Sequence, residues 1–305
     1  MNLVIVMIIG SHVNYNSATQ LVGATKQALE YGANTFMFYT GAPQSSRRGA
    51  INENLVQKAL ELMKENSIDV NNVISHAPYI INLANKEKMD SWKFSIEFLK
   101  QEIKRVNQMQ VKYIVVHPGN SLTIPKQEAL KNISDALNEI IDEKDQVMIL
   151  LETMAGKGTE CGCTIEELKT ILNGVKLKEK VGFCLDTCHL HDSGIDLKKW
   201  DDYLFDFDKS IGLNKVKCIH INDSKNIMGA KKDRHANLGL GLIGFETLLL
   251  IINHPLLKKV PKILETPWVG QYPPYKHEIA MIKNNTFNAN LIEEINNYYK
   301  NAENL

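Results

Sequence analysis

Eight short, continuous apolar runs recur along this chain, and each is followed by a stretch with helical spacing. The runs are Val4–Ile9, Thr35–Tyr39, Val73–His76, Tyr113–His117, Val147–Glu152, Val181–Asp186, Val216–His220 and Ile263–Glu265. Apolar runs without in-and-out alternation suit parallel strands covered on both faces. Eight βα units in succession predict an α/β chain closed into a single (β/α)8 barrel, and an open doubly wound sheet accounts less naturally for that number. A length of 305 residues fits one such domain, residues 1–305, with about 285–305 as a C-terminal helical extension. No Ser/Gly linker, low-complexity tract or charge block divides it.

Between the runs, Ser17 is placed to cap a helix reaching Tyr31 and ended by Gly32. Asn52–Glu65, Lys88–Met109, the stretch from Pro125 to Ile141, Trp200–Ile211, Phe245–Ile252 and the segment after Tyr275 read as further helices. Thr164-Ile165-Glu166-Glu167 has the capping-box pattern.

What closes each strand carries the chemistry. The third run ends in His76, the fourth in His117, the fifth in Glu152 and the sixth in Asp186, with His189 three residues on. The seventh ends in His220, the loop after it carries Asp233 and His235, and the eighth ends in Glu265. In a (β/α)8 barrel these ends converge on one face, where active sites sit. A single His or Asp at a strand end is usually a satisfied structural residue, but nine at equivalent places are a ligand set. Several carboxylates in one mouth would repel one another unless cations were bound there. Five His and four carboxylates exceed one tetrahedral site and suit two or three ions of the Zn or Mn type.

Other features exclude competing classes. Lys+Arg and Asp+Glu are both 35, so net charge gives no bulk argument for nucleic acid, and such binding needs a local basic surface. Leu3–Ile9 is far shorter than the ~20 residues of a membrane span and lacks signal-peptide flanks. Five cysteines, an odd number, read as reduced thiols of a cytoplasmic protein, and Cys161-Gly162-Cys163 as a loop pair rather than a metal site. Gly239-Leu240-Gly241-Leu242-Ile243-Gly244 is a literal G-x-G-x-x-G. Charged, loop-like residues precede it instead of a strand, so no nicotinamide cofactor is expected. Those glycines should let a loop turn tightly and open the next helix.

Three stretches resemble the signature motifs of the endonuclease IV family of apurinic/apyrimidinic endonucleases, in its Gram-positive and mycoplasma-like branch. They are Val181-Gly182-Phe183-Cys184-Leu185-Asp186-Thr187-Cys188-His189; His220-Ile221-Asn222-Asp223-Ser224-Lys225; and Asp233-Arg234-His235 with Leu238-Gly239-Leu240-Gly241. Gly10-Ser11-His12-Val13, His76-Ala77-Pro78-Tyr79, His117-Pro118-Gly119 and Leu264-Glu265-Thr266-Pro267 match as well, so the resemblance runs from about residue 1 to about 287. Related sugar isomerases share the barrel but lack the Asp-x-His pair with its preceding His.

The resemblance implies three zinc ions, with Mn or Fe as alternatives at one or more sites. His76 and His117 would hold one and Glu152 would bridge to a second, completed by Asp186, His220 and Glu265. His189, Asp233 and His235 would hold the third, and Glu152 and Glu265 would be the catalytic carboxylates. It implies hydrolysis of the phosphodiester 5′ to an abasic site in double-stranded DNA, leaving a 3′-hydroxyl and a 5′-deoxyribose phosphate, with removal of blocked 3′ ends as a side activity. The enzyme would act as a monomer at the nucleoid. Tyr79 and Ile80 match the family's wedge into the abasic gap. Gln44 stands where family members commonly insert an Arg. Arg47, Arg48, Lys225 and Arg234 are further candidate DNA contacts, with Lys231 and Lys232 beside them. The rival readings are a sugar isomerase or epimerase on the same barrel, and a non-catalytic binder of damaged DNA.

Overall fold

The computed structural model describes residues 7–303. Its barrel strands are β1 (Ile9–His12), β2 (Thr35–Tyr39), β3 (Ile74–His76), β4 (Tyr113–Val116), β5 (Met148–Glu152), β6 (Val181–Asp186), β7 (Val216–Ile221) and β10 (Lys262–Leu264). All eight run parallel and close in the order β1-β10-β7-β6-β5-β4-β3-β2. A two-residue antiparallel ladder, β8 (Asp223–Ser224) with β9 (His235–Ala236), lies in the loop after β7.

The first strand differs from the expected Val4–Ile9. Val4 to Val6 fall outside the described residues, and the strand begins at Ile9. The reason is steric and polar. Gly10 runs so close to β2 that a Cβ there would meet the Thr35 carbonyl oxygen at 1.9 Å. The strand then ends on Ser11 and His12 at the polar mouth, which an apolar-run signal does not register.

Among the described residues the helices surround the barrel. The longest, α3 (Met89–Gln108), buries Trp92, Ile96, Leu99, Ile103 and Val106, a stripe at spacings of four and three. Each such side chain contributes about 1.5–3 kcal/mol of transfer free energy. The helix α1 (Gln20–Glu30) starts later than the sequence suggests. Thr19 rather than Ser17 precedes it, and Asn16 Oδ1 accepts from the Thr19 N–H at 2.9 Å. The helices α2 (Glu53–Glu65), α4 (Lys126–Ile140), α7 (Trp200–Ser210), α8 (Phe245–Ile252) and α9 (Tyr275–Asn284) lie where the spacing predicts. Thr164 caps α5 (Ile165–Gly174), accepting from the Glu167 N–H, but the box is not reciprocal. Glu167 Oε2 instead accepts from the N–H groups of Gly162 at 2.7 Å and Cys163 at 3.1 Å. A short α6 (Thr187–Ser193) follows β6 directly, and α10 (Leu291–Glu303) packs Leu291 and Ile295 onto the core.

Inside the barrel, Met37, Ile74, Val115, Leu150, Cys184, Cys218 and Ile263 form a separate buried cluster, one residue from each of seven strands. Side chains along a strand alternate, so residues two positions further on face the same interior. Those residues are Tyr39, His76, His117, Glu152, Asp186, His220 and Glu265. The barrel thus lays a polar ring directly above an apolar layer.

Candidate metal centre at the barrel mouth

The nine expected ligands come together in three groups, the first two sharing Glu152. His76, His117 and Glu152 form one, Glu152, Asp186, His220 and Glu265 a second, and His189, Asp233 and His235 a third. Within each group the ligand atoms lie within 4.8 Å of one another. Glu152 joins the first two groups through different oxygens. Its Oε2 lies 3.2 Å from His76 Nε2 and 3.1 Å from His117 Nε2. Its Oε1 lies 2.9 Å from His220 Nδ1 and 3.4 Å from His189 Nδ1. His220 Nδ1 also meets Glu265 Oε2 at 3.0 Å. Asp233 Oδ1 receives His189 Nε2 at 3.2 Å and His235 Nε2 at 3.3 Å.

Three imidazoles are held in the tautomer a ligand requires. A backbone carbonyl only accepts, so the nitrogen facing it must carry the proton. His76 Nδ1 donates to the Ala77 carbonyl at 2.7 Å, His189 Nδ1 to Thr153 at 2.9 Å and His235 Nδ1 to Glu265 at 3.2 Å. Once the ring is neutral, each Nε2 presents a lone pair to the cluster, the usual outer-sphere arrangement of metal-bound histidine. His220 Nε2 is buried without a hydrogen-bond partner.

Electrostatics point the same way. Burial alone would raise the Glu152 carboxyl, but His220 and His117 hold it well below its ordinary range. Burial likewise opposes charge on His235, yet the hydrogen bond to Asp233 and the Asp186 carboxylate push it up to about 9. Burial disfavours the Asp233 carboxylate too, but His189 and His235 keep it far below the usual value. Without cations, this mouth balances its carboxylates with imidazolium protons. Divalent ions would replace those protons, and the donor set fits them.

Supporting residues were not legible as site residues. Asn222 donates to Asp186 Oδ2 at 2.7 Å, and its Oδ1 accepts from the Glu265 N–H at 3.0 Å. Asp192 accepts from the Ser224 hydroxyl at 2.6 Å and from the N–H of Asp233 at 2.8 Å. It thereby holds Asp233 in a left-handed conformation, φ 55°. His12 also reaches the mouth, its ring 4.8 Å from Tyr39, and burial lowers its pKa to about 4. Its sequence signal is the Gly10-Ser11-His12-Val13 match, since no apolar strand end marks it.

The glycine-rich loop grips an internal anion. Asp223 accepts from the N–H groups of Gly239 at 3.0 Å, Gly241 at 3.1 Å and Ile243 at 2.9 Å. A Cβ on Gly241 would fall 2.4 Å from Asp223 Oδ1. As expected, the loop opens a helix, with Gly244 preceding α8.

Around the metal groups stands a rim of loops. Tyr79 is 53% exposed and Ile80 40%. The Tyr79 ring sits 5.5 Å from Tyr39, 6.1 Å from His117 and 6.3 Å from His76. Gln44, Arg47, Lys225, Lys231, Lys232 and Arg234 reach solvent to differing degrees. Arg48 is placed differently from its expected role. Its side chain is 1% exposed, paired with Glu102 at 2.7 Å, and donates to the Ser45 carbonyl at 2.7 Å. It braces the loop that carries Gln44 and is withdrawn from solvent. Sequence reading also passed over Ile227 and Met228 in the loop after β8 and Trp268 in the loop after β10, all exposed.

Residues 25–285 match the family model described as a xylose isomerase-like TIM barrel. The chain is 48% identical over 293 residues to a probable endonuclease 4 of Halalkalibacterium halodurans, covering 94% of this chain and 98% of that one. It is 49% identical over 288 residues to that of Acholeplasma laidlawii, covering 93% and 98%. The chain belongs to the endonuclease IV family. The crystal structure of endonuclease IV from Thermus thermophilus superimposes with a TM-score of 0.76 at 27% identity, over 94% of this chain and 99% of that one. A D-tagatose 3-epimerase-like protein at 18% identity and TM-score 0.64, over 95% of this chain and 99% of that one, shares the barrel fold. As a member of the endonuclease IV family, this chain is an enzyme of that DNA-repair hydrolase class, and its clustered ligands are those of a metal-dependent site. Among the described residues, no helix is long and apolar enough to cross a membrane.

Proposed function

We propose that this chain hydrolyses the phosphodiester immediately 5′ to an abasic site in duplex DNA, leaving a 3′-hydroxyl and a 5′-deoxyribose phosphate, with three zinc ions at the mouth. The observation that carries this is Glu152. Its two oxygens face different His groups, and a third group stands on the far side of His189. Zinc bound there would supply Lewis-acid stabilisation of phosphoryl charge and lower the pKa of water toward about 7.

The chain's own residues do the rest. Glu152 sets the spacing between two ligand groups, and Glu265, partly exposed and held by the Asn222 side chain, is positioned to orient the attacking water. Tyr79 and Ile80 stand beside His76 and His117, where an apolar wedge fills the space of a missing base. An abasic site lacks stacking, so opening it costs less than opening an intact pair. Arg47, Lys225 and Arg234, with Lys231 and Lys232, supply cations for the flanking phosphates, and Gln44 occupies the inserting position without charge. The same centre accounts for removal of blocked 3′ ends. Monomeric action at the nucleoid in the cytoplasm completes the proposal.

Nicking of depurinated plasmid tests it. Conversion of depurinated but not intact supercoiled plasmid to open circle, abolished by chelation, is the expected result. Isomerisation of a free ketose without nicking would favour the sugar-isomerase reading, and binding to abasic DNA without incision the non-catalytic one.

A further inference from the structure

Two members of the layer beneath the ligand ring are not hydrocarbon. Cys184 and Cys218 are Cα partners across β6 and β7, as are Asp186 and His220 two residues further on. Both thiols are free and fully buried. A ring nitrogen of His220 and the two sulfurs lie within 4.8 Å of one another. Donors placed about 2.0–2.3 Å from one shared ion stand no more than about 4.6 Å apart, so small side-chain adjustments suffice to close on a centre. The His220 ring is used on one side only. Nδ1 meets Glu152 at 2.9 Å and Glu265 at 3.0 Å, whereas Nε2 is buried with no hydrogen-bond partner.

We propose that Cys184 Sγ, Cys218 Sγ and His220 Nε2 form a soft-cation site directly under the hydrolytic centre, for a thiophilic d10 ion of the copper(I) or cadmium(II) type. Two thiolates and an imidazole select such ions over those that prefer oxygen. Binding forms two metal–sulfur bonds and one metal–nitrogen bond and releases both thiol protons to solvent; nothing is oxidised or reduced. Coordination through Nε2 leaves the ring proton on Nδ1. There it donates to Glu152 or Glu265, and His220 ceases to be a ligand of the centre above. A soft ion in this site therefore silences incision from below, without touching the DNA surface.

The test titrates cadmium(II) into the zinc-loaded full-length protein and follows the sulfur-to-cadmium charge-transfer band. This readout is independent of the proposed reaction, and incision of abasic duplex is followed in parallel. The expected result is a band that saturates at one equivalent as incision is lost. Cys218→Ala and Cys184→Ala should each remove the band while incising normally, which also shows that they fold. Their incision should resist that equivalent of cadmium. A Cys161→Ser/Cys163→Ser variant and a Cys188→Ser variant should each keep the band. No band, or a band that survives Cys218→Ala, overturns the assignment, as does oxidation of the pair to a disulfide by peroxide in protein that takes up no cadmium.

Discussion

The floor of the mouth and its rim are built from different material. On the floor, His76, Glu152, Asp186 and His220 are buried at the ends of paired strands, and each is fixed by at least one neighbour. On the rim, Gln44, Arg47, Tyr79, Lys225 and Arg234 are solvent-reaching side chains on loops. The floor can hold ions to within tenths of an ångström because the barrel dictates where its side chains point. The rim can only offer charge and apolar surface to a partner that completes it. Chemistry should therefore reside in the floor and affinity in the rim.

The sharpest way to break that division is Glu152→Gln. Removing the carboxylate shared by two ligand groups should cost more than about 3 kcal/mol in the barrier, on the order of a hundredfold or more in kcat, with binding of abasic duplex largely kept. Wild-type turnover would remove Glu152 from the centre. Arg48→Ala tests the border between the regions. Breaking its buried pair with Glu102 should cost about 3 kcal/mol of stability, seen as a lowered urea midpoint, with the salt dependence of DNA binding unchanged. A flattened salt slope without destabilisation would return Arg48 to the rim.

What was legible in the sequence follows the same border. His76, His117, Glu152, Asp186, His220 and Glu265 could be read because a strand end is a fixed position, and apolar runs announce strands. His12 is marked only by the Gly10-Ser11-His12-Val13 match, because its strand carries Gly10 and Ser11 in place of an apolar run. Arg48 looked like a DNA contact because its partner, Glu102, is 54 residues away on α3, and tertiary pairing of charges leaves no local trace. The partner of Gly239-Leu240-Gly241 was hidden likewise, since the anion in its grip is the chain's own Asp223. Two-residue strands such as β8 and β9 have no periodicity to read.

Stripping the ions should make the floor respond to pH in a stated direction. His235 is raised to about 9, and His117, His189 and His220 are also raised, burial being outweighed in each by neighbouring acidic groups. In metal-free protein their contribution to stability is fully present below the unfolded value of about 6.5 and is lost as pH rises through the folded value. His12, lowered by burial to about 4, opposes this with a contribution present above about 6.5 and lost as pH falls through 4. Four raised histidines outweigh one lowered one, so the thermal midpoint of the metal-free protein should fall between pH 6.5 and 9. Zinc reloading should remove that fall and release protons at pH 7. A flat profile for the metal-free protein would contradict the charge balance.

The smallest effects should come from the rim. Gln44→Ala should weaken binding to abasic duplex without altering the dependence of log K on log salt, because Gln neutralises no phosphate. Arg47→Ala should weaken binding and reduce that slope by about 0.9, one phosphate contact on duplex DNA. Equal slopes in both variants would mean that Arg47 is only a solvated charge, and unchanged affinity in Gln44→Ala would rule out insertion of that residue.

The central claim is that nine residues of the mouth hold three ions that cut DNA on one side of an abasic site. Its most direct test is a metal titration of stripped protein on a duplex carrying a single tetrahydrofuran abasic analogue, which cannot undergo β-elimination. The account predicts incision at one bond, 5′ to the analogue, leaving a 3′ end that a DNA polymerase extends at once, with activity reaching its plateau at three zinc ions per chain. A plateau at one ion, or a cut on the 3′ side of the analogue, would contradict it.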